Sequence, residues 1–132
     1  MSHVDVIMSK EGRRMLENVR RIVKKLPEVE EVIDGFGHTV IRVRNKSFIF
    51  LGGSLESGPV ISIKATKEMQ QFLIGQQQGT FWKTPYIGQH GWVSTYAAAP
   101  DSWTELEPLI VEGYCLAAPK SLVKEVRTMY EQ

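Results

Sequence analysis

Between Ser9 and Pro27, apolar residues recur every three to four positions, which is the spacing of an amphipathic helix. The predicted apolar stripe consists of Met15, Leu16, Val19, Ile22, Val23 and Leu26. Ser9 suits the N-cap, and Pro27 ends the helix because it disfavours helical geometry at the residue before it. The opposite face carries six Lys or Arg residues between positions 13 and 25, so the predicted helix exposes a positively charged surface.

A strand pattern begins at His38. Alternating and β-branched residues predict three strands, at 40–44, 47–51 and 60–64, and the short connections between them favour an antiparallel meander. The acidic segment 28–34, which precedes these strands, has mixed polarity and is assigned to a solvated turn.

The second half of the chain alternates helix and strand signals. A helix is predicted over 65–78 with Thr66 as its cap, and an extended segment at 81–82 precedes a strand over 92–98. Further helices follow. This order predicts an α+β fold of two layers, in which an antiparallel sheet of about five strands packs against helices on one face. We expect residues 1–132 to form a single domain.

Two capping signals compete at the start of the C-terminal helical region. Ser102 with Glu105 and Thr104 with Glu107 both have the spacing of a capping box. The second choice places Pro108 in the first turn, where its missing N–H costs least, so Thr104 is the predicted cap.

Composition adds limits to this picture. The 132 residues are 42% apolar and 23% charged, as in ordinary globular proteins, so disordered and collagen-like chains are excluded. The formal net charge is only +1, and no apolar run reaches the roughly 18–20 residues of a membrane helix, so we expect no membrane partner. Cys115 is the single cysteine, so no intramolecular disulfide can form and a cytoplasmic location is expected. The oligomeric state stays open.

No motif in the sequence assembles a catalytic or cofactor site. The glycines at 35–37 and 52–53 do not complete a phosphate-binding loop, and the cysteine has no neighbouring base in sequence. His38 and His90 are not at metal-ligand spacing, but both follow glycine-containing turns and could meet across the sheet to line a pocket. We therefore expect a protein without enzymatic activity, bound metal or cofactor.

Charge is distributed unevenly along the chain. Residues 1–66 hold 11 Lys and Arg against 8 Asp and Glu, whereas residues 67–132 hold 5 against 7. Basic residues on or beside predicted strands, with aromatic residues near them, suit a phosphate backbone and its bases. The candidate nucleic-acid-binding residues are Arg42, Arg44, Lys46, Lys64 and Lys83 for phosphates, and Tyr86 and Trp92 for stacking. The predicted partner is DNA.

A colinear series of short motifs runs from Leu26 to Lys120. Its first half contains Leu26-Pro27-Glu28-Val29-Glu30-Glu31, Phe36-Gly37-His38 and Val43-Arg44-Asn45-Lys46-Ser47-Phe48. Its second half contains Ile61-Ser62-Ile63-Lys64, Thr84-Pro85-Tyr86-Ile87-Gly88, Gly91-Trp92-Val93, Glu105-Leu106, Gly113-Tyr114 and Ala118-Pro119-Lys120. The series as a whole resembles the MmcQ/YjbR family.

This resemblance implies an α+β domain with an antiparallel sheet, similar to frataxin-like and secretion-chaperone-like folds. Members are often described as DNA-binding because their arrangement resembles a double-wing motif, and the resemblance therefore implies DNA binding by analogy of fold. It carries over no catalytic residue. The chain departs from the family at Lys83-Thr84, where a small residue and Pro are usual, at Gly113, where Ser is more common, and at Asn45, where Gly is usual.

Two other functions stay open on the sequence. A protein-interaction or chaperone-like module would expose a contiguous apolar patch. A small-molecule-binding domain would enclose a pocket, walled by His38, Tyr86, His90 and Trp92.

Overall fold

The computed structural model describes residues 3–76, 79–97 and 102–131. Its elements in chain order are α1 (His3–Met8), α2 (Lys10–Val23), β1 (Val29–Ile33), β2 (Thr39–Val43), β3 (Lys46–Ser54), β4 (Gly58–Ile63), α3 (Lys67–Ile74), β5 (Phe81–Lys83), a short 3-10 helix (Gly88–His90), β6 (Val93–Tyr96), α4 (Ser102–Ala117) and α5 (Lys120–Tyr130). Residues 77 and 78 of the helix predicted over 65–78, and residue 98 of the strand predicted over 92–98, lie outside the described residues.

The strands form one open sheet in the order β1-β2-β3-β4-β6-β5, and every neighbouring pair is antiparallel. The predicted α+β class and the meander of β2, β3 and β4 are therefore confirmed. The sheet has six strands in the described residues, so the prediction of about five is low by one.

The strand missing from the prediction is β1, which lies in the acidic segment assigned to a turn. It pairs with β2 from Val29 opposite Val43 to Ile33 opposite Thr39. The turn assignment is wrong because β1 is an edge strand, and an edge strand can be held by backbone pairing and charged side chains without a regular apolar pattern.

The core lies between one face of the sheet and the helices. Ile41, Ile49 and Ile63 are partners across β2, β3 and β4, and all three are buried on this face. The helices contribute Met15, Val19 and Ile22 from α2, Leu106, Ile110 and Tyr114 from α4, and Leu122 and Val126 from α5. The apolar stripe predicted for the first helix therefore faces the core. Because side chains alternate along a strand, Phe50 and Ser62 point to the other face of the sheet.

The N-terminus forms a short helix, α1, which the hydrophobic pattern does not indicate. Val6 is buried, and α1 packs so closely on α2 that a Cβ at Gly12 would collide with the backbone of Val6. His3 stacks on His38 with ring centroids 3.8 Å apart, and its Nδ1 accepts a hydrogen bond from the N–H of Gly53 at 3.0 Å. The tertiary contacts of α1 therefore fix it to the end of β3.

The predicted cap at Thr104 is wrong, because α4 already begins at Ser102. Thr104 and Pro108 both lie inside the helix. Pro108 has no N–H to donate, but Leu106 and Ile110 are buried against the sheet on either side of it. Packing of this apolar face stabilises the helix more than one missing hydrogen bond weakens it.

A close approach fixes α4 to the end of β4. A Cβ at Gly113 would lie 2.9 Å from the backbone oxygen of Lys64, so the absence of a side chain allows the two backbones to meet. The buried Tyr114 packs edge-to-face on Phe48, and its hydroxyl donates to the carbonyl of Pro27 at 2.8 Å. Burial raises the pKa of Tyr114 to about 12, so the hydroxyl remains a donor at neutral pH.

Candidate nucleic-acid interface

The nucleic-acid candidates gather at one end of the sheet. Because all neighbouring strands are antiparallel, the end of β2, the start of β3 and the ends of β4 and β5 lie together, beside the start of β6. Arg44 follows β2, Lys46 opens β3, Lys64 follows β4, Lys83 closes β5 and Tyr86 lies in the loop before β6. We call these five residues the basic end. At about 4.8 Å per strand, the strands of Lys46 and Lys83 lie about 14 Å apart.

Both candidate arginines of β2 and its turn are paired with glutamates, one on β1 and one just before it. Arg44 makes a two-pronged ion pair with Glu28, at 2.5 and 2.9 Å, and Arg42 donates to Glu30 at 2.9 Å. The hydrogen bond from Arg44 lowers the pKa of Glu28. These two guanidinium groups are therefore neutralised locally, although exposed ion pairs contribute little stability and can exchange partners.

The candidate lysines differ from the arginines. Among the ion pairs of the described residues, none involves Lys46, Lys64 or Lys83. Lys46 and Lys83 are exposed, while the Lys64 ammonium lies 5.7 Å from the ring centroid of Trp92 in a cation–π contact. The free positive charge of the basic end thus comes from its lysines.

Trp92 does not suit the stacking role predicted for it. Only 6% of the residue is exposed, and its ring packs on Phe50 with centroids 5.1 Å apart. A buried ring cannot receive a base without rearrangement of the sheet face. The contact with Lys64 indicates instead that Trp92 supports the position of that ammonium group.

Tyr86 is the aromatic residue of the basic end, and 94% of its surface is in solvent. Its backbone is left-handed, with φ at 69°, in a tight turn where the N–H of Ile87 donates to the carbonyl of Pro85 at 2.8 Å. A bulky residue in this conformation is unusual and costs about 1–2 kcal/mol. The loop therefore holds a large ring in water at the expense of backbone strain.

The same end of the sheet contains the other left-handed non-glycine residues of the described chain. Glu28, Arg44 and Asn45 have φ values of 59°, 49° and 66°, and they flank the start of β1 and the β2–β3 turn. Asn tolerates this conformation better than most residues, which suits Asn45 to its place in this turn. Such strain tends to cluster at functional sites.

The two candidate pocket histidines lie at opposite ends of the sheet, so they do not meet to line a pocket. His38 precedes β2 and bonds Asp34 through Nδ1 at 3.0 Å. His90 is exposed and precedes β6, at the basic end. Two surface cavities of about 600 and 390 Å³ lie beside α2, and neither is lined by His38, Tyr86, His90 or Trp92.

Other chemistry is sparse in the part of the chain that the structure describes. It contains no group of three or more His, Cys, Asp or Glu side chains that could hold a metal ion. None of its helices is long and apolar enough to cross a bilayer. Cys115 packs partly buried against the core, and burial raises the pKa of its thiol, which disfavours the reactive thiolate.

Apolar exposure, the feature expected of a protein-interaction module, is distributed over several elements of the described residues, and the exposed side chains include Met8, Leu55, Leu116 and Met129. Phe72 and Met69 share one side of α3 and are 63% and 38% exposed. Phe36 and Ile33 are exposed near the turn between β1 and β2. Neither pair forms an extended patch by itself.

The residues that neutralise the arginines were not predicted from the sequence. Glu28 and Glu30 became partners of Arg44 and Arg42 only because β1 pairs with β2. The two acids and the two arginines are each two positions apart in sequence, and this shared spacing is a signal that could have indicated the pairing of the two segments.

Comparison with known proteins agrees with the fold. Residues 24–116 match the family model described as YjbR. The chain is also similar to the crystal structure of the Deinococcus radiodurans protein DR2400, whose family-model domain is DUF419, with a TM-score of 0.66 and 18% sequence identity over 85% of this chain and 87% of that one. At this identity the likeness concerns the fold alone. Comparison with curated proteins gave no match.

Proposed function

The chain belongs to the YjbR family, and we propose that this member is a non-enzymatic protein that binds DNA at the basic end of its sheet. The observation that carries the proposal is that three lysines with no ion pair among the described residues lie with one highly exposed tyrosine at a single end of the sheet. Phosphate groups and bases offer the complementary charge and stacking surface.

Each side chain of the basic end has a distinct part in this proposal. Lys46, Lys64 and Lys83 contact phosphates, and the Tyr86 ring stacks on a base or sugar. The pair between Arg44 and Glu28 is exposed, so a phosphate can replace the carboxylate at little cost. Contacts of this kind position the protein on the nucleic acid without selecting a sequence.

The absence of enzymatic activity is part of the proposal, and the dispersal of the reactive groups supports it. Cys115 lies in α4 with a raised pKa, and His38 lies at the far end of the sheet from Lys46 and Tyr86. A nucleophile, a base and a group that stabilises negative charge would have to meet for catalysis.

The test is fluorescence anisotropy with a labelled short DNA duplex and a labelled single strand. Affinity should fall steeply between about 50 and about 200 mM salt, because bound lysines release counterions from the DNA. Lys46→Glu and Lys83→Glu should each weaken binding more than Lys124→Glu, which makes the same charge change on the exposed surface of α5. Circular dichroism confirms that each variant is folded.

Two results would overturn the proposal. One is the absence of binding at low salt to either DNA. The other is binding that Lys46→Glu and Lys83→Glu weaken no more than Lys124→Glu, because the affinity would then depend on overall charge and not on the basic end.

A further inference from the structure

The outward face of α2 is a strongly charged surface that the proposed function does not use. Five exposed cations lie on it: Lys10, Arg13, Arg14, Arg21 and Lys24. The ion pairs of the described residues engage only the two other cations of this region, Arg20 with Glu31 and Lys25 with Glu107. The acids on the same face are Glu11 and Glu17, so positive charge dominates along its whole length.

These cations do not contribute to the core, because helical spacing separates them from the apolar stripe. Met15, Val19 and Ile22 face the sheet, and Arg14 and Arg21 lie seven positions apart on the opposite side. Arg21 donates to the side-chain oxygen of Asn18 at 2.8 Å, and Asn18 in turn donates to the carbonyl of Arg14 at 2.9 Å. This short chain of hydrogen bonds holds the Arg21 guanidinium along the helix before any ligand arrives.

We infer that the outward face of α2 is a second track for the phosphate backbone of duplex DNA. The inference depends on the proposed function for the nature of the partner and adds a surface that the basic end does not include. At 1.5 Å per residue, Lys10 and Lys24 are about 21 Å apart, a distance over which duplex DNA carries about 12 phosphate charges. Three of the five cations are arginines, whose planar groups suit two-pronged binding of phosphate.

Charge complementarity favours a polyphosphate over an anionic lipid surface. A helix that lies in a membrane needs an exposed apolar side to enter the acyl region. The apolar side of α2 is already buried in the core, and its exposed side has only charged and amide side chains. The phosphate backbone of duplex DNA can contact this charged surface without the insertion of any apolar side chain.

The position of α2 relates this face to the basic end. The helix ends at Val23, and the chain then passes through Pro27 to Glu28, which binds Arg44 of the basic end. Lys24 and Glu28 line the same surface cavity of about 390 Å³. A duplex lying along α2 can therefore reach the basic end across the end of the helix.

The experiment measures the dependence of duplex affinity on salt for two charge-matched variants of the full chain. Arg14→Gln/Arg21→Gln removes two charges from α2 with little change of helix propensity, and Lys120→Gln/Lys124→Gln removes two from α5. Each lost phosphate contact should reduce the slope of log K against log salt by about 0.9, so the α2 variant should lose about 1.8 and the α5 variant much less. Arg14→Lys/Arg21→Lys keeps the charge and should retain most of the slope.

The outcomes separate this inference from the proposed function. An equal loss in the α2 and α5 variants overturns the inference, as does vesicle binding (phosphatidylserine with phosphatidylcholine) in the absence of duplex binding. A loss only at Lys46→Glu and Lys83→Glu also overturns it but leaves the proposed function intact. A loss only in the α2 variant supports the second track and removes the basic end from the interface.

Discussion

Replacement of Tyr86 by glycine should make the protein more stable while it weakens DNA binding. Tyr86 holds a left-handed backbone with its ring almost fully in solvent. Glycine adopts the same φ without a Cβ clash, so Tyr86→Gly relieves the strain. The opposite signs of the two effects would identify Tyr86 as a residue kept for binding and not for folding.

The magnitude follows from three contributions. Relief of a left-handed side chain contributes about 1–2 kcal/mol, and the extra freedom of glycine in the unfolded chain costs about 0.5–1 kcal/mol. With 94% of Tyr86 exposed, truncation removes little buried apolar area, roughly 0.3 kcal/mol at most. From the middle of these ranges, the free energy of unfolding should rise by about 0.5 kcal/mol, which raises Tm by about 2 °C for a chain of this size.

Thermal and urea denaturation provide the assay, with Tyr86→Ala as the matched control. Alanine also lacks the ring but keeps the strained φ, so its stability should stay near that of the original protein. Both variants should lose the stacking contact and bind DNA more weakly, by about 1–3 kcal/mol. If Tyr86→Gly proves less stable than Tyr86→Ala, the left-handed conformation is not costly at this position and the reasoning from strain is refuted.

Three further predictions concern stability. Tyr114→Phe removes the donor to Pro27 and should lower the free energy of unfolding by about 1–2 kcal/mol in urea titration; an unchanged midpoint would mean that water replaces the bond. Gly113→Ala should gain helix propensity of about 1 kcal/mol but lose about 1–3 kcal/mol to the collision with β4, so a higher Tm would contradict the close approach. Burial, followed by the nearby charge of His38, lowers the pKa of His3 below 6.5, so the unfolded chain binds more protons than the folded chain. The contribution of His3 to stability should therefore be complete above pH 6.5 and decline as the pH falls through the folded-state pKa. His3→Gln should flatten this part of the curve of unfolding free energy against pH, and an equal decline in both proteins would assign it to other groups.

The hydrophobic pattern within short windows of sequence was enough to predict α2 and the central strands. The core stripe of α2 and the meander of β2, β3 and β4 follow from helical and alternating spacing within short windows of sequence. β1 and α1 were missed because their stability comes from partners elsewhere in the chain. β1 depends on pairing with β2, and α1 depends on Gly12 and on the contact of His3 with His38.

The arrangement of the candidate site depends on how the strands pair, which short stretches of sequence do not determine. Lys46, Lys64 and Lys83 share one end of the sheet because their strands are antiparallel neighbours in the order that the sheet adopts. The sequence does not distinguish the exposed Tyr86 from the buried Trp92, because both follow turn residues. The two differ in burial because Trp92 packs on Phe50. Ring burial depends on which strands are neighbours, and that information is absent from local composition.

The acidic edge strand also determines how the sheet meets other molecules. A free strand edge is a template on which a second chain can add its own strand, the first step of many aggregates. The outermost strand β1 bears Glu30 and Glu31, which are ion-paired with Arg42 and Arg20, and a strand added by another copy would have to accommodate these charged groups. At the other border, β5 offers only Phe81 to Lys83 for pairing. Growth of the sheet beyond its own chain is therefore discouraged on both sides, by charged side chains at one border and by the shortness of the strand at the other.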